Sequence, residues 1–180
     1  MAVLRVPVNA SDHIRGPANA PVTLLEYGDY ECPSCGRAHP IVNQLQVHFG
    51  TQLRFVFRHF PLTEIHENAE AAAESAEYAG AYGSFWEMHD LLYENQERLG
   101  PPLLFSIVQS LGLSEHGLRD ALARGIFAQK VRNDFLGGVR SGVNGTPTVF
   151  IDNLRYDGPV AFGALVGMIA ARLQYAPIPD

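Results

Sequence analysis

Two cysteines separated by two residues, Cys32-Pro33-Ser34-Cys35, stand between a strand-like run and a helix-like segment, and they are the only cysteines in the chain. The run is residues 22–27, Val-Thr-Leu-Leu-Glu-Tyr, with Pro21 before it and Gly28-Asp29 after it. Its apolar and β-branched content predicts a buried strand. Residues 36–49 follow, carrying Ile41, Leu45 and Phe49 at i, i+4 and i+8, and stop at Gly50; this predicts a helix kinked at Pro40. The first cysteine is thereby set at a helix N-terminus, where unpaired N–H groups and the positive end of the macrodipole favour an anion. A thiolate at Cys32 is such an anion, so its pKa is expected below the roughly 8.5 of a free cysteine. A lowered pKa makes Cys32 a ready nucleophile and a good leaving group in thiol–disulfide exchange. Cys35, one turn further in, is expected to be more buried and to act as the resolving thiol. The competing chemistry is metal binding or redox sensing by Cys32, Cys35 and His39, which can share a helix face. Zinc normally takes four ligands, however, and no second Cys-x-x-C exists.

Composition narrows the remaining classes. The 180 residues suit one domain, or a small domain with an insertion. A net charge of −6 without a basic stripe argues against nucleic acid as a partner. No apolar run approaches the roughly 20 residues of a membrane span. The first ten residues lack the basic and apolar regions of a secretory signal. Both cysteines belong to one motif, with none left for structural bridges. The expected compartment is therefore the cytoplasm, or the periplasm if a signal has been removed.

Along the chain, residues 53–57 read as a second strand ending at Arg58-His59-Phe60-Pro61. From about residue 64 to 141 the signals are helical. They comprise an Ala-rich segment over 67–82, a capping box at Ser84-Phe85-Trp86-Glu87, a Pro101-Pro102 helix start, a Ser114 cap, and Phe127, Val131 and Phe135 at helical spacing. Period two returns at 148–151 and 154–156, flanking Asp152-Asn153 as a two-residue hairpin turn. A last helix presents Phe162, Leu165, Val166 and Ile169. Strand, helix, strand, helical block, hairpin and helix make a mixed sheet with a parallel first crossover. That order predicts an α/β thioredoxin-like fold, residues 1–63 and 142–180, with an all-helical subdomain inserted over 64–141.

The chain resembles the DsbA-like thiol–disulfide oxidoreductases of the thioredoxin superfamily. Within them it is similar to thioredoxin-like domains found alone or fused to bacterial sodium/proton antiporters. The resemblance spans residues 12–173 and rests on Glu26-Tyr27-Gly28-Asp29-Tyr30-Glu31-Cys32-Pro33-Ser34-Cys35, Phe57-Arg58-His59-Phe60-Pro61-Leu62, Phe85-Trp86-Glu87-Met88-His89-Asp90 and Gly142-Val143-Asn144-Gly145-Thr146-Pro147-Thr148. It implies that Cys32 attacks substrate and Cys35 resolves the mixed disulfide. It also implies that Pro147 is the cis-proline facing the cysteines, and that the Thr146 backbone pairs with substrate beside Pro33 and Ser34. Glu26 matches the family's buried acid, a carboxyl able to pass a proton to or from Cys35. Protein or peptide thiols and disulfides, together with a recycling redox partner, are the implied partners; no metal or organic cofactor is implied. Ser34 departs from strongly oxidising members, which carry a histidine there, so the Cys32 thiolate is expected to be less stabilised and the disulfide less oxidising. A glutathione-dependent, kappa-type transferase or isomerase is the related enzymatic alternative, and such enzymes do not need Cys35. His59 and His66 are expected to be structural, and Tyr27, Tyr30, Phe60, Phe85 and Trp86 to pack the core or line a groove.

Overall fold

β2 (Val22–Gly28) is buried along its whole length, because both neighbouring strands and both faces of the sheet are covered. In the computed structural model, which describes residues 2–175, the strand order is β1-β3-β2-β4-β5. β1 is His13–Arg15, β3 is Leu53–His59, β4 is Thr148–Ile151 and β5 is Leu154–Tyr156. β2 and β3 are parallel, joined by α1 (Pro33–Phe49); the other pairings are antiparallel. The mixed sheet of a thioredoxin-like fold is therefore present. Between β3 and β4 run α2 (Ala69–Ala81), α3 (Phe85–Glu94), α4 (Pro101–Ser110), α5 (Glu115–Arg124) and α6 (Ala128–Arg140); α7 (Phe162–Tyr175) follows β5.

The pleat of β2 sorts its side chains between two cores. Leu24 joins Phe55, Phe57, Val149 and Ile151 on the face covered by α1, α3 and α7. Leu25 and Tyr27 point the other way, onto Val56, Phe60 and Phe150, with Phe135 of α6 closing that side. Glu26 shares the Leu24 face by the same period of two, which sends a carboxyl into the apolar layer beneath α1. Full burial of one such leucine or phenylalanine stabilises by about 1.5–3 kcal/mol, so this face is strongly held and Glu26 is carried in with it.

One strand goes unpredicted and one local expectation fails, each for an identifiable reason. β1 was not foreseen; it pairs only with β3, and three residues are too few to show a period. The Ser84 capping box does not form: Ser84 sits at φ −116°, ψ 30° with no side-chain cap bond. Its N–H is taken by the Ala79 carbonyl at 2.9 Å in the turn that ends α2, through Gly83 at φ +81°. Ser114 has the extended backbone a cap needs, and its Oγ accepts from the Gly117 N–H at 3.0 Å. α1 is one helix to Phe49 with Pro40 inside it. The Asp152-Asn153 turn does connect β4 and β5, with Asp152 at φ +55°.

Candidate active site

Cys32 is the N-cap of α1 and Pro33 occupies the first helical turn, the position where its missing N–H costs nothing. No side chain caps the helix, so the Cys32 sulfur is left beside the free amides. The turn before it is fixed by backbone bonds from Cys32 N to Asp29 O and from Gly36 N to Cys32 O, both 3.1 Å. Cys32 and Cys35 are free thiols, and Cys35 is fully buried. The loop leading to β4 lies opposite. The Thr146-Pro147 bond is cis, and the Cys32 thiol donates to the Thr146 carbonyl at 3.3 Å. Thr148 Oγ1 braces that loop by donating to the Gly145 carbonyl at 2.7 Å.

The two sulfurs are driven in opposite directions. Cys32 is lowered to about 5, chiefly by the hydrogen bond from the Cys35 thiol. The Thr146 side chain and the backbone N–H groups of Ser34 and Cys35 add to this against the cost of burial. As a thiol, Cys32 donates to the Thr146 carbonyl. As a thiolate it needs donors, and the Thr146 hydroxyl, buried without a partner, is available to supply one. Cys35 is pushed well above the ordinary thiol range by burial, then by its bond to Cys32 and the negative charge of Glu26. Glu26 is raised to about 8 by burial first and by the Cys32 charge second. Pro33 is exposed, while Ser34, Thr146 and Pro147 are half-buried around the sulfur. Ser34 Oγ accepts from Arg37 at 2.8 Å, so the position that lacks a charged side chain of its own has a guanidinium one turn along.

Several supporting residues carried no sequence signal. Gln96, in a short 3₁₀ turn after α3, donates through one nitrogen to the carbonyls of Tyr30 (2.8 Å) and Cys32 (2.9 Å). A Cβ on Gly36 would collide with the Gln96 amide oxygen, so the glycine makes room for this clamp. Asp29 accepts from the Glu31 and Leu62 N–H groups and pairs with His66, all at 2.8–2.9 Å. Glu31 in turn accepts from both nitrogens of Asn68. The segment before Cys32 is thereby tied to the start of the helical block. Only tertiary contact makes these residues partners, and no local spacing marks them.

His39 does not join the cysteines. It lies on α1 but turns to Asn43 (3.1 Å) and Asp90 (3.3 Å), and among the described residues no three-ligand cluster includes a sulfur. The Cys32–Cys35–His39 metal arrangement is thus not formed; a helix face common to all three does not bring the imidazole to the sulfurs. His59 is buried against Glu77 and His66 is bound to Asp29, as structural residues. Tyr27, Tyr30, Phe60 and Phe85 are core residues rather than a groove. Trp86 packs on Phe55 and donates to the Ile14 carbonyl at 3.3 Å, joining α3 to β1 and β3.

Among the described residues no helix is long and apolar enough to cross a membrane. The sequence profile described as Thioredoxin matches residues 9–171. The chain is 45% identical over 169 residues to Na(+)/H(+) antiporter NhaA 1 of Salinispora arenicola, covering 93% of this chain and 26% of that protein. It is 45% identical over 174 residues to NhaA 3 of Salinispora tropica, again 26% of that protein. The chain therefore spans about a quarter of the length of these relatives. Among solved structures, BdbD from Bacillus subtilis in its oxidised form superposes with a TM-score of 0.87 at 26% identity, covering 96% of this chain and 98% of that one. The α-DsbA1 of Wolbachia pipientis gives 0.84 at 17% identity and 95% of each chain, a likeness of fold. The chain belongs to the thioredoxin family, and it shares the fold of BdbD and α-DsbA1.

Proposed function

We propose that Cys32 and Cys35 exchange disulfides with protein or peptide substrates, with Cys32 as the attacking sulfur and Cys35 as the resolving one. The observation that carries this is the opposite shift of the two thiols: one ionised at neutral pH at the site mouth, the other protonated and fully buried. In the reducing direction the Cys32 thiolate attacks one sulfur of a substrate disulfide. That S–S bond breaks, its electron pair leaves with the other substrate sulfur, and a mixed disulfide forms. Cys35 then gives up its proton and attacks Cys32, releasing the second substrate thiol and leaving the Cys32–Cys35 disulfide. Glu26 is the proton carrier for Cys35; its pKa near 8 lets it hold or release a proton close to neutrality. In the oxidising direction the same steps run backwards. Pro33 and Ser34 form one wall of the substrate site and Thr146-Pro147 the other, with the Thr146 backbone as the edge to which an extended peptide adds.

Residues 64–141 act as an inserted helical subdomain that braces this turn through Gln96 and Asn68. The presence of Cys35 favours this reading over a glutathione-dependent transferase, whose chemistry does not need it. We place the exchange in the cytoplasm, because both cysteines serve one pair and none is left for a structural bridge. A glutathione poise of about −220 to −320 mV would keep the pair reduced there and turn the enzyme towards reduction or isomerisation by way of a recycling partner. A Cys32–Cys35 disulfide trapped by acid quench in living cells would contradict that placement.

Exchange with a disulfide peptide, followed in Cys32→Ser and Cys35→Ser variants, tests the roles. The first is expected to be inert and the second to accumulate mixed disulfides at Cys32. Turnover retained in both would remove the proposal.

A further inference from the structure

We propose that His39, His89 and Asp90 form a site for a first-row divalent transition metal of the zinc class, holding α3 against the active-site helix α1. One ligand atom from each lies within 4.8 Å of the others, and both imidazoles are buried.

The hydrogen bonds around the cluster say where its lone pairs point. Arg15 donates to Asn43 Oδ1 at 3.2 Å, which turns the Asn43 amide nitrogen towards His39 Nε2 at 3.1 Å. His39 Nε2 is therefore an acceptor, with its proton on Nδ1, which is buried and has no acceptor of its own. Asp90 Oδ1 faces the same nitrogen at 3.3 Å and is buried with no hydrogen-bond donor of its own. Asp90 Oδ1 therefore receives no proton from this nitrogen, and a cation that displaces the Asn43 amide hydrogen from His39 Nε2 would be shared by both groups. The separation suits a metal: bonds of about 2.0–2.1 Å at tetrahedral angles put two ligand atoms about 3.4 Å apart.

The surrounding groups fit the outer shell of such a site. His89 Nδ1 lies 3.0 Å from the Tyr30 hydroxyl, which can accept its proton and leave Nε2 as the ligand. Arg15 holds Asp90 Oδ2 at 2.7 Å and is itself stacked on Trp86, so it orients the carboxylate while leaving Oδ1 free. Its positive charge opposes the metal, and it moderates affinity. Asp90 is about one-third exposed beside a cleft lined by Arg15, Asn43 and Gln46, while its Oδ1 is buried with the two imidazoles. The other cluster of this kind, His59, Glu77 and Asp134, is already occupied by an amine. There Lys130 Nζ lies 2.6 Å from Asp134 and 3.6 Å from Glu77. No amine fills the gap between His39 and Asp90.

The test uses the full chain with Cys32 and Cys35 oxidised to a disulfide, so that neither sulfur can bind metal. After chelator treatment and dialysis, Zn²⁺ alone is titrated by competition with a chromophoric chelator, and Co²⁺ is added in parallel for its visible spectrum. The expected result is one Zn²⁺ per chain at micromolar affinity or tighter, a tetrahedral Co²⁺ spectrum, and more than tenfold weaker binding in both Asp90→Asn and His39→Gln. The proposal is overturned if the oxidised wild-type protein binds no Zn²⁺. It is equally overturned if only the reduced protein binds, or if binding persists unchanged in both variants. The wild-type titration decides the matter even where a variant folds poorly.

Discussion

Replacing Cys35 with alanine should raise the Cys32 pKa by about one to two units. The largest single influence on the Cys32 thiolate is the hydrogen bond from the Cys35 thiol. A hydrogen bond to a charged group is worth about 1.5–3 kcal/mol, and each pKa unit corresponds to roughly 1.4 kcal/mol. Starting from about 5, the alanine variant should titrate at about 6–7, with the helix amides and Thr146 still holding it below a free thiol. Cys35→Ser keeps a donor at the same place and should stay near the wild-type value. Alkylation by iodoacetamide across pH reads the shift through rate. At pH 8 both proteins are about nine-tenths ionised or more, and the less acidic thiolate is the better nucleophile. With a Brønsted slope of about 0.4–0.5, the alanine variant should react about 2.5-fold to tenfold faster. At pH 5 the order should reverse, because only the wild-type thiol is substantially ionised. The two pH profiles must therefore cross. Coincident profiles, or equal shifts in the alanine and serine variants, would refute Cys35 as the donor that sets the nucleophile.

Three other perturbations test separate parts of the structure. Glu26→Gln should stabilise the reduced protein at pH 8 by about 3–5 kcal/mol, with the gain fading towards pH 4. The folded state holds the Glu26 proton up to about 8, whereas the unfolded chain releases it near 4.5, so native stability falls as pH rises through that window; chemical denaturation at the two pH values checks it, and a gain independent of pH would contradict it. Arg58→Met should cost about 3–5 kcal/mol by urea unfolding, because it strips a buried carboxylate of its partner. Arg58 binds both Asp12 oxygens at 2.7 and 2.8 Å and also reaches Tyr27 and the Val6 and Pro7 carbonyls, and a loss under 1 kcal/mol would show that Asp12 finds water instead. Ser34→His should raise the reduction potential by tens of millivolts by placing a cation beside the Cys32 thiolate; Arg37, already 2.8 Å from Ser34 Oγ, limits the gain, and an unchanged or lower potential would refute charge as the tuning device.

What could be read from residue order was what the chain decides locally. Cys32 at a helix start, the hairpin turn at Asp152 and the Ser114 cap each depend on neighbours within a few positions, and the backbone places all three as the local pattern predicts. The mixed sheet was legible because β2, β3 and β4 are apolar enough to announce themselves. Distant pairings were not. β1 exists because β3 offers it an edge, and Gln96 matters because a turn more than sixty residues along the chain folds back over Cys32. Ser84 shows the same limit from the other side. Its local pattern reads as a cap, yet the end of α2 claims its amide and sets its backbone elsewhere. The alternative that put His39 with the cysteines fails for a like reason. Its spacing from the cysteines suggests a shared face, but the partners that decide its role come from α3.

The most direct test of the central claim is the redox equilibrium of the chain in metal-free glutathione buffers, read by mass and by thiol count. The thiolate at about 5 lies between the roughly 7 of thioredoxin and 3.5 of DsbA. Interpolating between their potentials of about −270 and −120 mV places this pair at roughly −180 mV. The account predicts one two-electron transition near that value, with a disulfide joining Cys32 to Cys35 and no other species populated. A chain that forms no internal disulfide across the range, or only a glutathione adduct at a single cysteine, would contradict it.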